Sequence, residues 1–215
     1  MNSALRAAAL LGAFLLIPIL PFLWLGESFE TSLLDAIQQP VSAPKLCAWV
    51  MGLLSADILL PVPSSALITY AGGKLGWKLA TTVSLAGLSV GSVAGFAIAR
   101  RWGQPILSKL GDAAALSRIG HWVQKHGVTA LILTRALPIL AEACVLLLGS
   151  SRMPWSRFLP ALVASNFCVA LSYSACGAYF SKDNGFLLAI VSSGALPLIA
   201  ALVIRGKSRP DSSAP

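Results

Sequence analysis

The sequence predicts an all-α integral membrane protein, and three observations lead to that fold class. Of the 215 residues, 56% are hydrophobic and only 11% are charged, whereas soluble domains carry about 25% charged residues. Four apolar stretches reach the roughly 20 residues that a helix needs to cross a bilayer. Two further apolar stretches are interrupted by proline, which breaks or kinks a helix. The predicted architecture is an inverted repeat of a re-entrant helical hairpin plus a transmembrane helix, with four full spans and two re-entrant hairpins.

The chain divides into three predicted parts. Residues 1–45 hold an N-terminal transmembrane helix and an outer amphipathic segment, 46–180 hold the core with both hairpins, and 181–215 hold the last transmembrane helix and a basic cytoplasmic tail. The first apolar run is longer than the roughly 7–15 residues of a cleaved signal peptide, so we expect a retained helix. The four predicted spans are Leu5–Leu25, Trp77–Ala99, Phe158–Phe180 and Phe186–Ile204.

The interrupted stretches are Leu46–Gly72, broken at Pro61 and Pro63, and Val128–Gly149, broken at Pro138. Each is able to cross the membrane or to turn back as a re-entrant hairpin. If both turn back and the N-terminus is cytoplasmic, eleven lysines and arginines face the cytoplasm and four face outwards. Because cytoplasmic loops are enriched in these residues, we expect two hairpins and cytoplasmic N- and C-termini.

An internal repeat supports the hairpins. Leu60–Ile68 aligns with Leu137–Val145 at an offset of 77 residues, a glycine follows in each copy, and a tryptophan then opens a full span. One hairpin plus one crossing is an odd number of passages, so the two copies must have opposite orientations. Interrupted helices that meet near the midplane of an inverted repeat are common in secondary transporters.

The segment Gln104–His126 lies between the copies and shows apolar residues at helical spacing with basic residues among them. It predicts an amphipathic helix on the cytoplasmic surface, or else a connector packed on the bundle. Within the predicted span Trp77–Ala99, Gly87, Gly91 and Gly95 form a small-residue face, which favours close helix packing. In the later span, Asn166 and Tyr173 are expected to bond across helices, with contact to substrate as the alternative.

Three ionisable residues fall inside the interrupted stretches: Asp57, Arg135 and Glu142. A charge at this depth costs roughly 2.5–3.5 kcal/mol or more, and such residues usually face a cavity or a partner. Ser64 and Ser65 follow the first break and are placed to cap the next helix or to donate to a ligand. We predict that these five residues bind substrate or protons. The alternative for Arg135 is an ion pair with a carboxylate that only holds the hairpins together.

Enzymatic and nucleic-acid functions find no support. The chain has no P-loop, GxSxG, HExxH or Rossmann motif, so we expect neither an enzyme nor a cofactor. The four cysteines stand in apolar stretches with no CxxC pair, which predicts no metal site. The net charge of +8 is spread along the chain and fits membrane orientation better than nucleic-acid binding.

The chain resembles the DedA family, also called the VTT-domain or SNARE-associated Golgi protein family. The residues that carry the resemblance are spread over the core: Asp57, Pro61–Ser64, Gly72–Gly73, Gly91 to Gly95, Arg100–Gly103, His126–Gly127, Arg135–Pro138, Gly149 and Phe158. The resemblance implies a bacterial inner-membrane protein with two opposed re-entrant hairpins. It also implies transport or scrambling of lipids, undecaprenyl phosphate or phospholipids, with a link to the proton-motive force.

Two positions depart from the family pattern. Ser65 stands where the family often has glutamate, and Ala141 stands where it often has a second arginine. A second arginine would suit a phosphate, so its absence keeps a small-solute or ion transporter open as an alternative, with a non-transporting membrane assembly factor as a third. Membrane lipids and protons are the expected partners, and a homo-oligomer is compatible with the sequence.

Overall fold

The computed structural model describes residues 42–58, 60, 62–103, 113–135 and 138–179. Pro61 and the predicted spans Leu5–Leu25 and Phe186–Ile204 lie outside these residues. Within them, all regular secondary structure is helical. The helices are α1 (Ala43–Ala56), α2 (Ser64–Leu75), α3 (Trp77–Ile98, continued by a π-helical turn over Ala99–Gly103), α4 (Ala113–Thr134), α5 (Pro138–Ser150) and α6 (Trp155–Tyr179).

Two predicted spans are confirmed as helices. α3 with its π turn, Trp77–Gly103, has 27 residues, and α6 has 25 residues. Both are long and apolar enough to cross a membrane, and each begins at the tryptophan that marked it in the sequence. A bilayer core about 30 Å thick needs roughly 20 helical residues, so either helix has residues to spare for an interfacial turn.

Both predicted interruptions are also present. α1 ends at Ala56 with Asp57 as its C-cap, and α2 begins only at Ser64, after Pro63 at the N-cap. α4 ends at Thr134 and α5 starts at Pro138, where proline is tolerated because the first helical N–H groups have no partner inside the helix. No side chain caps the start of α2, so the capping role considered for Ser64 and Ser65 is wrong.

One predicted boundary is absent. The sequence placed the end of a surface helix at His126 and a separate apolar arm from Val128, but α4 runs through both without a break. Gly127 lies between them in helical conformation, and a Cβ atom there would contact Leu148 and Met153 at 3.1 and 3.4 Å. Gly127 therefore serves as a packing position, and the surface helix and the first arm of the second hairpin are one element.

The first hairpin, α1 with α2, begins and ends at the N-terminal end of α3. Gly87 of α3 lies against Met51 and Leu54, and Gly95 lies against Ile58, so α1 runs parallel to α3 towards the break. α2 then returns and ends at Leu75, two residues before Trp77. The predicted packing role of the α3 glycine face is confirmed, since α1 occupies it.

The second hairpin, α4 with α5, approaches from the other end. The ring of Phe96 in α3 stacks on Phe158 of α6, whereas Ser89 accepts a hydrogen bond from Asn166. α3 and α6 are therefore antiparallel. Arg157, near the start of α6, donates to Gln124 of α4, so the second hairpin belongs to the N-terminal end of α6, which is the C-terminal end of α3.

The two copies of the repeat exchange their second arms. A Cβ atom at Gly72 of α2 would collide with the backbone of Ser174 in α6, and one at Gly149 of α5 would collide with the backbone of Phe96 in α3. The glycines are 77 residues apart and their partners 78 apart, as are Trp77 and Trp155. The second arm of each copy, α2 or α5, thus packs at equivalent positions on the long helix of the other copy, α6 or α3.

The link between α5 and α6 holds a non-glycine residue in the left-handed region. Arg152 has φ 54°, its N–H donates to the Gly149 carbonyl, and the Met153 N–H donates to the Leu148 carbonyl. This is the Schellman pattern, in which glycine usually takes the position of Arg152. A side chain there costs roughly 1–2 kcal/mol, so the arginine is held against its backbone preference.

Candidate functional site: a charged cavity between the two breaks

The two breaks and the middle of α3 enclose a small cavity. Its volume is about 20 Å³, enough for roughly one water molecule. Nine residues line it: Leu54, Asp57, Ile58, Leu88, Gly91, Ser92, Arg135, Glu142 and Val145. The first break supplies Asp57, the second supplies Arg135, and α5 supplies Glu142. All three ionisable residues singled out in the sequence therefore meet in one place.

Arg135 is the central cation of the cavity. Its Nη2 atom donates to the Ser92 hydroxyl of α3 at 3.1 Å. Its Nε atom is buried and makes no hydrogen bond within the described residues. The guanidinium lies close enough to Asp57 and Glu142 to interact with both charges. A buried donor without a partner is costly, so this nitrogen is poised to bind an acceptor.

Asp57 connects the two arms of the first hairpin. It caps the end of α1, and its carboxylate accepts a hydrogen bond from the hydroxyl of Ser64, the first residue of α2. Glu142 lies one helical turn into α5 and interacts with the charges of both Asp57 and Arg135. Two carboxylates thus face one guanidinium across the cavity.

The other residues predicted for the site, the two serines and the three prolines, differ in how they relate to the cavity. Ser64 reaches the site through Asp57, but Ser65 is not among the residues that line the cavity. Pro63 and Pro138 bound the helices beside the breaks, and Pro61 lies outside the described residues.

Ser92 is the contact that sequence reasoning missed. It directly follows Gly91 on a face interpreted as packing only, and a hydroxyl beside a small-residue face was the available signal. Among the described residues, no three histidine, cysteine or acidic side chains cluster for a metal ion.

The family model of the VTT domain matches residues 62–179 of this chain, which is more than half of its length. The archaeal "Uncharacterized protein MJ0201" of Methanocaldococcus jannaschii is 30% identical over 113 residues, covering 52% of this chain and 70% of that protein. The "Uncharacterized membrane protein YbfM" of Bacillus subtilis is 23% identical over 136 residues, covering 59% and 84%.

A third relative has a name that states a function. "Undecaprenyl phosphate transporter A" of Bacillus subtilis is 25% identical over 108 residues, which is 46% of this chain and 54% of that protein. No solved structure matches.

Proposed function

This chain belongs to the VTT domain (DedA) family, and we propose that it is a proton-coupled membrane transporter of a lipid with a phosphate headgroup. The observation that carries the proposal is the meeting of Asp57, Arg135 and Glu142 in one cavity beside the middle of α3. Charged residues at membrane depth mark substrate and proton pathways. The relative named as an undecaprenyl phosphate transporter supports a phosphate-bearing lipid as the substrate class.

The proposed path uses the hairpins as re-entrant elements. α1–α2 enters along α3 from one end, and α4–α5 enters from the other, so their tips meet between two helices long enough to span. Among the described residues, the basic side chains that belong to the C-terminal end of α3 or to elements in contact there include Arg100, Arg101, Lys125, Arg152 and Arg157. Within the same residues, the N-terminal end of α3 and the hairpin ends beside it have three: Lys45, Lys74 and Lys78. With more positive charge at the first end, we place it on the cytoplasmic side of the inner membrane.

Charge balance links the phosphate to protons. With both carboxylates ionised, Asp57 and Glu142 outweigh Arg135 by one negative charge, which disfavours an anion at the site. A proton taken up by either carboxylate removes that excess and with it the net repulsion, so a phosphate can approach Arg135 more readily. Binding of the headgroup is thereby coupled to binding of a proton.

The test is transport by the full chain reconstituted in vesicles. Replacing Arg135→Ala should reduce the flux of fluorescent phosphatidylglycerol and of undecaprenyl phosphate to that of empty vesicles. Arg135→Lys, which retains the charge without the fork of donors, should keep part of the flux. Immunoblots of the vesicles establish equal insertion of both variants. Wild-type flux in the Arg135→Ala vesicles would remove Arg135 from the mechanism.

A second candidate is a transporter of small ions on the same scaffold. The cavity has room for about one water molecule, which favours a small ion over a headgroup in this conformation. The same vesicles distinguish the two: lipid transport predicts that labelled lipid crosses and inorganic phosphate or chloride does not. The reverse result would favour the ion transporter.

A further inference from the structure

A second site lies away from the cavity, at the C-terminal end of α3. It is an open groove of about 540 Å³, within the range of small-ligand pockets, and we call it the arginine groove. It is lined by Ala97, Arg100, Arg101, Trp102, Arg152 and Trp155. Arg100 is eight residues beyond Ser92, about 12 Å along a helix, so the groove and the cavity are distinct.

The side chain of Arg100, in the wall of the groove, is held in place by two contacts. Arg100 donates through Nη1 to the Met153 carbonyl at 2.6 Å, and its guanidinium lies 5.9 Å from the centre of the Phe96 ring. These contacts join the π turn to the link before α6. An arginine has five N–H donors, and within the described residues this bond to Met153 fixes the position of the Arg100 side chain.

Arg152 gives an independent indication that the groove binds something. It occupies the left-handed position of a helix cap where glycine is the usual residue. Glycine would fit this backbone better, yet the residue is an arginine whose side chain lines the groove. Backbone strain of this kind clusters at functional sites. At this position the arginine adds a third guanidinium to the groove, beside those of Arg100 and Arg101.

In the described part of the chain, no carboxylate lines the groove to balance the positive charge of its arginines. The acidic residues in that part of the chain are Asp57 and Glu142, and both line the central cavity. Trp102 is 57% exposed beside the arginines, and exposed tryptophan at the end of an apolar helix is typical of the membrane–water interface. Three arginines and two tryptophans at that level match an anionic headgroup with adjoining acyl chains.

We propose that the arginine groove binds the phosphate of an anionic lipid headgroup at the membrane surface. Arginine recognises phosphate through paired hydrogen bonds, and the indole rings of Trp102 and Trp155 offer apolar surface beside the arginines. This binding needs no transport step, so it stands or falls separately from the function proposed for the cavity.

The experiment titrates short-chain phosphatidylglycerol into the full chain in neutral detergent and counts bound lipid by native mass spectrometry. Arg152→Gly should weaken binding by about three- to fivefold, as expected for one exposed charged contact, while the melting temperature stays equal or rises. Arg101→Gln should weaken binding similarly. The matched control is Arg157→Gln, which removes one charge from the same end but outside the groove, and it should bind as wild type does.

Three results would overturn the proposal. Equal weakening by Arg157→Gln and Arg152→Gly would show attraction to general surface charge. Equal binding of short-chain phosphatidylcholine would remove the selectivity for anionic headgroups. Displacement of the lipid by inorganic phosphate at the lipid's own concentration would identify free phosphate, and not a lipid, as the ligand.

Discussion

The two copies of the repeat agree in packing and differ in charge. α1–α2–α3 and α4–α5–α6 exchange their second arms through equivalent glycines, Gly72 and Gly149. At the breaks, the offset of 77 residues pairs Arg135 with Ile58 and Glu142 with Ser65. The scaffold is therefore close to symmetric, whereas the site is not. Packing fixes where the breaks meet, and the unequal side chains at the breaks give the meeting point its charged groups.

The largest effects are expected at the symmetric contacts. Gly72→Ala and Gly149→Ala each place a methyl group against the backbone of a neighbouring span, and overpacking of this kind costs about 1–3 kcal/mol. We expect both variants to lose stability by similar amounts, measured as melting temperature in detergent.

Each copy also offers a control glycine. Around a Cβ atom at Gly52 of α1 or Gly120 of α4 there is nothing within 4 Å, so alanine there should be neutral or stabilise by up to about 1 kcal/mol through helix propensity. A large loss at only one of Gly72 and Gly149 would contradict the equivalence of the two copies.

The next effect tests the difference between the copies. Glu142→Ser gives the second copy the residue that the first has at the equivalent position, and it leaves Asp57 as the remaining carboxylate of the cavity. Because Glu142 interacts with the charges of Asp57 and Arg135, its loss removes a proposed proton-binding group. We therefore expect the part of the lipid flux that an imposed pH gradient drives to fall about tenfold, which is about 1.4 kcal/mol in the barrier. Flux that continues at the wild-type rate without responding to an imposed pH gradient would show that Glu142 carries the proton but is not needed for the lipid.

The smallest effect distinguishes two adjacent serines. Ser64 donates to Asp57, whereas Ser65 does not line the cavity. Ser64→Ala should slow transport by about two- to tenfold, corresponding to a hydrogen bond of roughly 0.5–1.5 kcal/mol. Ser65→Ala should leave the rate unchanged in the same flux assay. Equal losses in the two variants would mean that the hydroxyl of Ser64 acts through helix packing and not through the carboxylate.

Much of the scaffold follows from local sequence signals. Trp77 and Trp155 mark the starts of the two helices that are long enough to cross a membrane, and the prolines mark the breaks, since these residues act through their own backbone and burial. The continuity of α4 across His126 and Gly127 did not follow from the sequence. A glycine in a sequence can mark either the end of a helix or a position where two helices pack closely. Only the contact of Gly127 with Leu148 decides between them.

The site was predictable in its charges but not in its neighbours. Asp57, Arg135 and Glu142 are conspicuous because charge is rare in apolar segments. Ser92 and the separation of Ser64 from Ser65 depend on how α3 is rotated against the two breaks. That rotation is set by contacts between residues far apart in the chain, and no local pattern encodes it.

The central claim is that the two breaks share one site, and a double-mutant cycle in vesicles tests it most directly. Lipid flux is measured for Asp57→Asn, for Arg135→Lys, which should keep measurable flux, and for the double variant, each normalised to inserted protein. Residues in one charged network are non-additive, so a shared cavity predicts that the double variant is no slower than the slower single variant. Losses that multiply would show that Asp57 and Arg135 act independently and would contradict a common site.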